Sequence, residues 1–319
     1  ACSLLGLMVQ WMAFLIVFLI AKVGFSASLI FYDSMLSDIT DEERMDYVSS
    51  QGYAWGYIGS CVPFVLCLVI VLGSDPLGIR METAMGIAFV LVAVWWLLMS
   101  LPLLKNYEQK YYVEKKPHAI AQSFKRLGET FKNMKEEKQI FMFLLAFFFY
   151  IDGVYTIIDM ATAYGSALGL DSTGLLLALL VTQIVAFPCA IIFGNLSYRI
   201  RTEKLIIVCI FAYLGIAIFA VFLKTQFQFW ILAILVGMFQ GGIQALSRSY
   251  FTKIIPEEHS GEYFGLMDIC GKGASFVGTT IVSIVSQLTG NISMGVGMIA
   301  ILFCIGIVIF LKAVSMSRN

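Results

Sequence analysis

The chain is a succession of apolar runs, each long enough to cross a bilayer, separated by short polar interruptions. A crossing helix needs about 20 predominantly apolar residues. That length is met at about 11–36, 50–73, 83–104, 139–164, 172–194, 203–223, 228–251, 262–287 and 290–312. The run 1–36 is too long for a single crossing. It divides into the tail of one helix, about 1–9, and a complete one, so nine full crossings follow a fragment. The pattern predicts an all-α polytopic membrane protein. Its one long polar segment is 105–138, where Ile120, Phe124, Leu127, Phe131 and Met134 recur at 4-3-4-3 spacing. Lys125, Arg126, Lys132 and Lys135 lie elsewhere around that helix, which predicts an amphipathic helix on a membrane face, doubling as a tether between two halves.

Composition agrees: of 319 residues 60% are hydrophobic and 13% charged, and the mean hydropathy is +0.87. With 21 Lys and Arg against 21 Asp and Glu, no global field argues for nucleic acid. The distribution of charge matters more. If 105–138 is cytoplasmic, all but four of the basic residues fall on that side: Arg80 and Lys224 lie opposite, and Lys22 and Lys272 lie within the membrane. Such asymmetry fixes the orientation. Seven cysteines sit singly in apolar runs without CxxC spacing, so they read as buried thiols. His118 and His259 lie in polar loops, and no metal or cofactor motif is present. Ala1 opens in mid-run without Met, a basic stretch or a cleavage site, the pattern of a cut into a longer protein.

Shifting the chain by 216 residues brings Ile39-Thr-Asp-Glu-Glu43 onto Ile255-Pro-Glu-Glu-His259 and Tyr47 onto Tyr263. A parallel duplication with a long central linker is the layout of a two-bundle transporter. The helix opening near 139 then expects a partner about 80 residues upstream of Ala1, so the first two to three helices would be missing. The expected units are 1–104, the remainder of an N-terminal bundle; 105–138, a cytoplasmic linker; and 139–319, a C-terminal six-helix bundle.

GFSASLIFYD (24–33), VSSQGYAWGYIG (48–59), WWLLMSLPL (95–103), YIDGVYTI (150–157), GGIQALSRSYF (241–251) and EYFGLMDICGKGAS (262–275) closely resemble the vacuole-effluxer-like branch of the major facilitator superfamily. Their order and spacing match over nearly the whole chain. The resemblance implies the major facilitator fold, twelve helices in two six-helix bundles with alternating access, and, from eukaryotic relatives, efflux of amino acids. It also implies that the nine full spans are the fourth to twelfth helices, and that helices one, four, seven and ten line the central cavity. Two departures stand out: GNLSYRIRTEK (194–204) is a degenerate form of the superfamily's loop motif, and Gly278-Thr279 stands where Gly-Pro is expected.

Six ionisable groups fall inside spans: Lys22, Asp33, Asp152, Asp159, Asp268 and Lys272. Each costs at least ~2.5 kcal/mol at the bilayer centre and therefore marks a functional site with a partner. Asp152 and Asp159 lie seven positions apart, one helix face and ~10.5 Å of rise, with Tyr155 and Thr156 between them. Lys22, Ser26 and Asp33 share a stripe, although ~16 Å separates the two charges. Asp268 and Lys272, at i and i+4, can pair within their helix. Two cations against four carboxylates leave at least one acid to bind a proton in some state, unless Arg248 or another helix compensates. Asp152 is the first choice for proton coupling and Asp159 the second, with Lys272 exchanging between Asp152 and Asp268. A static charge network is the alternative. Gln240 and Gln244 form a polar stripe able to hydrogen-bond a zwitterion, or equally to cross-link helices. Arg248, near the cytoplasmic end, is read as a gate.

The expected function is a secondary active transporter of small polar solutes, acting as a monomer in the lipid bilayer with the proton as a possible coupling ion and no cofactor. It is not expected to be an enzyme. The expected location is a cell inner membrane if the host is bacterial and a vacuolar one if it is eukaryotic. Two rivals remain. Tyr150-Ile-Asp152 and Gly265-Leu-Met-Asp268 loosely resemble the paired aspartates of intramembrane proteases, and a non-transporting receptor on the same fold is the other.

Overall fold

A computed structural model describes residues 1–8, 10–76, 78–111, 128 and 137–316. Among these, nine helices are long and apolar enough to cross a membrane, and no strand is present. They are α1 (Trp11–Ser34), α2 (Met45–Leu72), α3 (Met81–Asn106), α4 (Lys138–Ala167) and α5 (Ser172–Leu196). Then follow α6 (Thr202–Val221), α7 (Gln226–Ile254), α8 (Ser260–Thr289) and α9 (Ile292–Met316), the last interrupted at Met298. Most of the expected amphipathic linker helix lies outside the described residues.

Each expected span is found, and several helices outrun their apolar core: α2 opens at Met45, ahead of residue 50, and α8 continues to Thr289. The apolar run measures the hydrocarbon crossing, whereas backbone hydrogen bonding continues into the interface until a cap intervenes. Gly290 supplies one such cap, closing α8 with φ 66°. Residues 1–9 depart from expectation. In place of a helix tail, Cys2–Leu7 form a 3-10 helix packed on α3, where Gly6 meets Gly86 backbone to backbone.

The duplication is visible in the turns. After α1 come a short helix (Leu36–Ile39) and a 3-10 turn (Glu42–Arg44) leading into α2; after α7 come a 3-10 turn (Glu257–His259) and α8. In both copies acidic residues occupy the turn at the mouth of the following helix, where its dipole favours negative charge.

Helices α4 to α9 pack about one aromatic core in which Phe143, Phe147, Tyr150, Phe251 and Phe310 meet edge-on or offset. The first half joins them along α2. Ala54 and Tyr57 pack against Ala186 and Ala190 of α5. Gly194 and Gly241 let the backbones approach: a methyl group at either would press into Ser50 or Ala190. These contacts lie in the N-terminal half of α2. Val62, Val65, Leu66 and Val69, farther along α2, are exposed apolar residues, as a side facing lipid would be.

Candidate functional site

A cavity of about 530 Å³ lies between α1 and α2 on one side and α4, α7 and α8 on the other. Its walls carry charge of both signs. Lys22 and Ser26 enter from α1, Tyr155 and Asp159 from α4, Gln244 from α7, and Asp268, Lys272 and Ser275 from α8. Asp159 accepts a hydrogen bond from Ser275 Oγ at 3.1 Å. Lys272 pairs with Asp268 one turn away on α8, and Gln244 Oε1 accepts from Tyr57 OH at 3.1 Å. Lys22 has no carboxylate partner among the described residues. A larger groove of about 770 Å³, beside α3, is lined mainly by apolar residues such as Leu7, Val90 and Trp95 and lacks this array of charges.

The floor of the cavity is Arg248. Its Nη1 donates to Asp33 Oδ1 at 3.0 Å, its Nε to Ser49 Oγ at 2.9 Å and its Nη2 to the Ser49 carbonyl at 3.0 Å. The guanidinium lies 4.7 Å from the centre of the Tyr53 ring and 5.3 Å from that of Tyr32. Only arginine combines a planar fork of donors with a weakly hydrated face that stacks on aromatics. At 4% exposure Arg248 is buried, so these partners stand in for water around its charge. All of them come from α1 and α2, while Arg248 comes from α7: the contact joins the two halves. Asp33 and Arg248 are 215 positions apart, within one residue of the repeat offset, so the pair links corresponding points of the two copies.

A second node lies beneath it and was missed by sequence reasoning. Buried Asp46, in the first turn of α2, accepts from Thr202 Oγ1 at 2.6 Å, Ser249 Oγ at 2.6 Å and Lys253 Nζ at 2.7 Å. In the sequence Asp46 follows Glu42, Glu43 and Arg44 and looks like one more charge of a solvated loop. Only the approach of α6 and α7 encloses it.

Four site expectations require correction. Asp152 does not face the cavity: it is fully buried between α4 and α8, where Oδ1 accepts from Gly278 N at 3.0 Å and Thr156 Oγ1 at 3.1 Å. Thr156, buried beside it, is likewise absent from the cavity wall. The reason is Gly278, where a side chain would collide with both groups; the missing Cβ draws α8 onto this face of α4. Lys272 therefore contacts Asp268 and not Asp152. Gln240 is also elsewhere, buried in the second half beside a pocket of about 50 Å³ with Thr182 and Gln183. The excess of acid over base seen in the sequence thus localises. Asp33, Asp159 and Asp268 share the cavity with Arg248, Lys22 and Lys272, while Asp152 stands apart, its Oδ2 without a hydrogen-bond partner among the described residues. The protease-like arrangement loses its basis, since Asp152 and Asp268 are committed to different partners. Of the cysteines, Cys61 and Cys209 are buried and Cys304 is exposed, and all seven are free thiols.

The sequence profile of the Atg22-like vacuole effluxers matches residues 3–319. The chain belongs to that family. The MFS-type transporter YxiO of Bacillus subtilis is 45% identical over 302 residues, which cover 94% of this chain and 71% of that protein. Autophagy-related protein 22 of Botryotinia fuckeliana is 24% identical over 85% of this chain, and that of Kluyveromyces lactis 24% over 78%. The chain spans about half the length of these fungal relatives, 50% and 54%. Among solved structures, the major facilitator transporter FucP in its outward conformation superposes with a TM-score of 0.67 at 14% identity, covering 98% of this chain and 78% of that one. A bacterial homologue of ferroportin in an outward-facing state gives 0.55 at 14% identity, covering 98% of this chain and 93% of that one. This family member is therefore an integral multi-pass membrane protein with the major facilitator fold, placed among transporters of that type.

Proposed function

We propose that the chain forms the greater part of a secondary active transporter that moves small zwitterionic solutes, amino acids foremost, by alternating access. One observation carries this reading: a cavity between the two halves that holds unpaired Lys22 on one wall and Asp159 on the other, above the buried Arg248 closure. A solute carrying both a carboxylate and an ammonium group satisfies Lys22 and Asp159 together, with Ser26, Tyr155 and Gln244 available to hydrogen-bond it. Closure of the cavity around the solute would lower the local dielectric and strengthen both attractions. With the 105–138 side taken as cytoplasmic, the contacts of Arg248 and Asp46 between the halves close the cavity on that side, the arrangement of an outward-facing state.

Proton coupling is assigned to Asp159, since it is the carboxylate of the α4 pair that the cavity reaches. Asp152 serves to hold α8 against α4. The direct test is flux of labelled amino acids into proteoliposomes containing the full-length protein, with and without a pH gradient. Uptake of at least one amino acid, driven by a pH gradient and no longer responsive to that gradient in Asp159→Asn, supports the reading. Absence of flux for every amino acid tried, with the protein shown to be folded, overturns it.

A further inference from the structure

We propose that the groove between the cytoplasmic ends of α6 and α9 binds one anionic phospholipid of the inner leaflet. The groove encloses about 340 Å³, and its two ends differ in chemistry. At the membrane boundary stand Arg201 and Lys204, at the start of α6, and Ser315, in the last turn of α9. About a turn deeper, Ile207 and Leu311 form an apolar wall, and Leu311 is 47% exposed toward the lipid region. A site that is basic at the interface and apolar below it has the polarity profile of a phospholipid. A soluble anion uses only the first half of it.

The charge balance favours a phosphate. Glu203, also lining the groove, is engaged by Arg201 at 3.0 Å, and its side chain is 14% exposed. Lys204 has no carboxylate partner among the described residues, and neither has exposed Lys312, next to Leu311. The first turn of α6 adds backbone N–H groups whose dipole also favours an anion. The inner leaflet is where anionic lipids concentrate, and basic pockets between helices on that side recognise their headgroups. The groove lies on the side that the distribution of lysine and arginine marks as cytoplasmic. This proposal does not depend on what the central cavity carries, so it can fail or stand independently of the transport reading.

The test uses the intact protein in nanodiscs of phosphatidylcholine and phosphatidylglycerol in equal amounts, followed by native mass spectrometry of the lipid retained. Phosphatidylglycerol should be retained about five-fold or more over phosphatidylcholine, the scale of one basic contact at a membrane surface. Lys204→Glu should abolish that preference, Lys204→Arg should keep it, and Lys224→Glu on the opposite side should leave it unchanged. Equal retention of the two lipids, or a preference that survives Lys204→Glu, overturns the proposal. So does displacement of the bound species by inorganic phosphate irrespective of acyl chains, which would identify a free-anion site.

Discussion

Arg248 concentrates the dependence of one half on the other in a single side chain. Its three hydrogen bonds and two ring contacts all reach across to α1 and α2. Removing one partner of a buried charge pair costs about 3–5 kcal/mol, because the remaining charge is stranded. In the proposed cycle that loss falls on the state closed to the cytoplasm, where the contact is made. Arg248→Lys keeps the charge yet loses the fork that spans Asp33 and both Ser49 acceptors. It should shift the equilibrium toward the cytoplasm-open state by more than about ten-fold, the effect of ~1.4 kcal/mol, and reduce net flux. Unchanged flux with wild-type accessibility would exclude Arg248 as the closure. At the α4 pair the two carboxylates should separate cleanly in kinetics. Asp159→Asn is expected to abolish the dependence of uptake on a pH gradient while leaving solute exchange measurable. Asp152→Asn, which retains an oxygen for Gly278 N and Thr156 Oγ1, should leave the gradient dependence intact. The opposite ranking would restore Asp152 as the coupling acid.

At the scale of helices, α4 and α8 are joined at a point where no side chain intervenes. Gly278 presents its N–H to Asp152, and a methyl group there would strike Asp152 and Thr156. Forcing extra volume into a packed contact typically costs about 1–3 kcal/mol. Gly278→Ala should therefore lower the midpoint of thermal unfolding in detergent, whereas alanine at Gly273, which meets nothing within 4 Å, should not. The helices themselves were legible in the sequence because a bilayer demands about 20 apolar residues per crossing and permits little else. Lys22, Asp159 and the Asp268–Lys272 pair were legible as charges in the wrong solvent. The direction in which Asp152 points was not: seven-residue spacing puts Asp152 and Asp159 on one face, and that face turns out to be shared between the cavity and α8. Gly278, read as a departure from an expected Gly-Pro, was the residue that held the answer. Asp46 was invisible for another reason, since its burial depends on α6 and α7, more than 150 residues away.

For the molecule as a whole, the proposed cytoplasmic closure rests on two acids from the first half, Asp33 and Asp46, held by donors from α6 and α7. The two nodes stand on opposite sides of the turn that joins α1 to α2, so rocking one half against the other must break both. Alternating access requires the closed and open states to differ by only a few kcal/mol, and each node supplies an amount of that order. A double variant, Asp33→Asn with Asp46→Asn, should therefore favour the cytoplasm-open state more than either single change. A cysteine at Ser26, on the cavity wall, can report it. In the parent protein, a membrane-impermeant thiol reagent should label Ser26→Cys from the outer side, measured against the same chain with Ser26 intact. In the double variant, labelling should move to the cytoplasmic side in inside-out vesicles, and the singles should fall between. Solute at saturating concentration should protect the cysteine in both. If the double variant still labelled only from outside, the two nodes would be ties within a rigid body, and the closure would have to be sought elsewhere along α2.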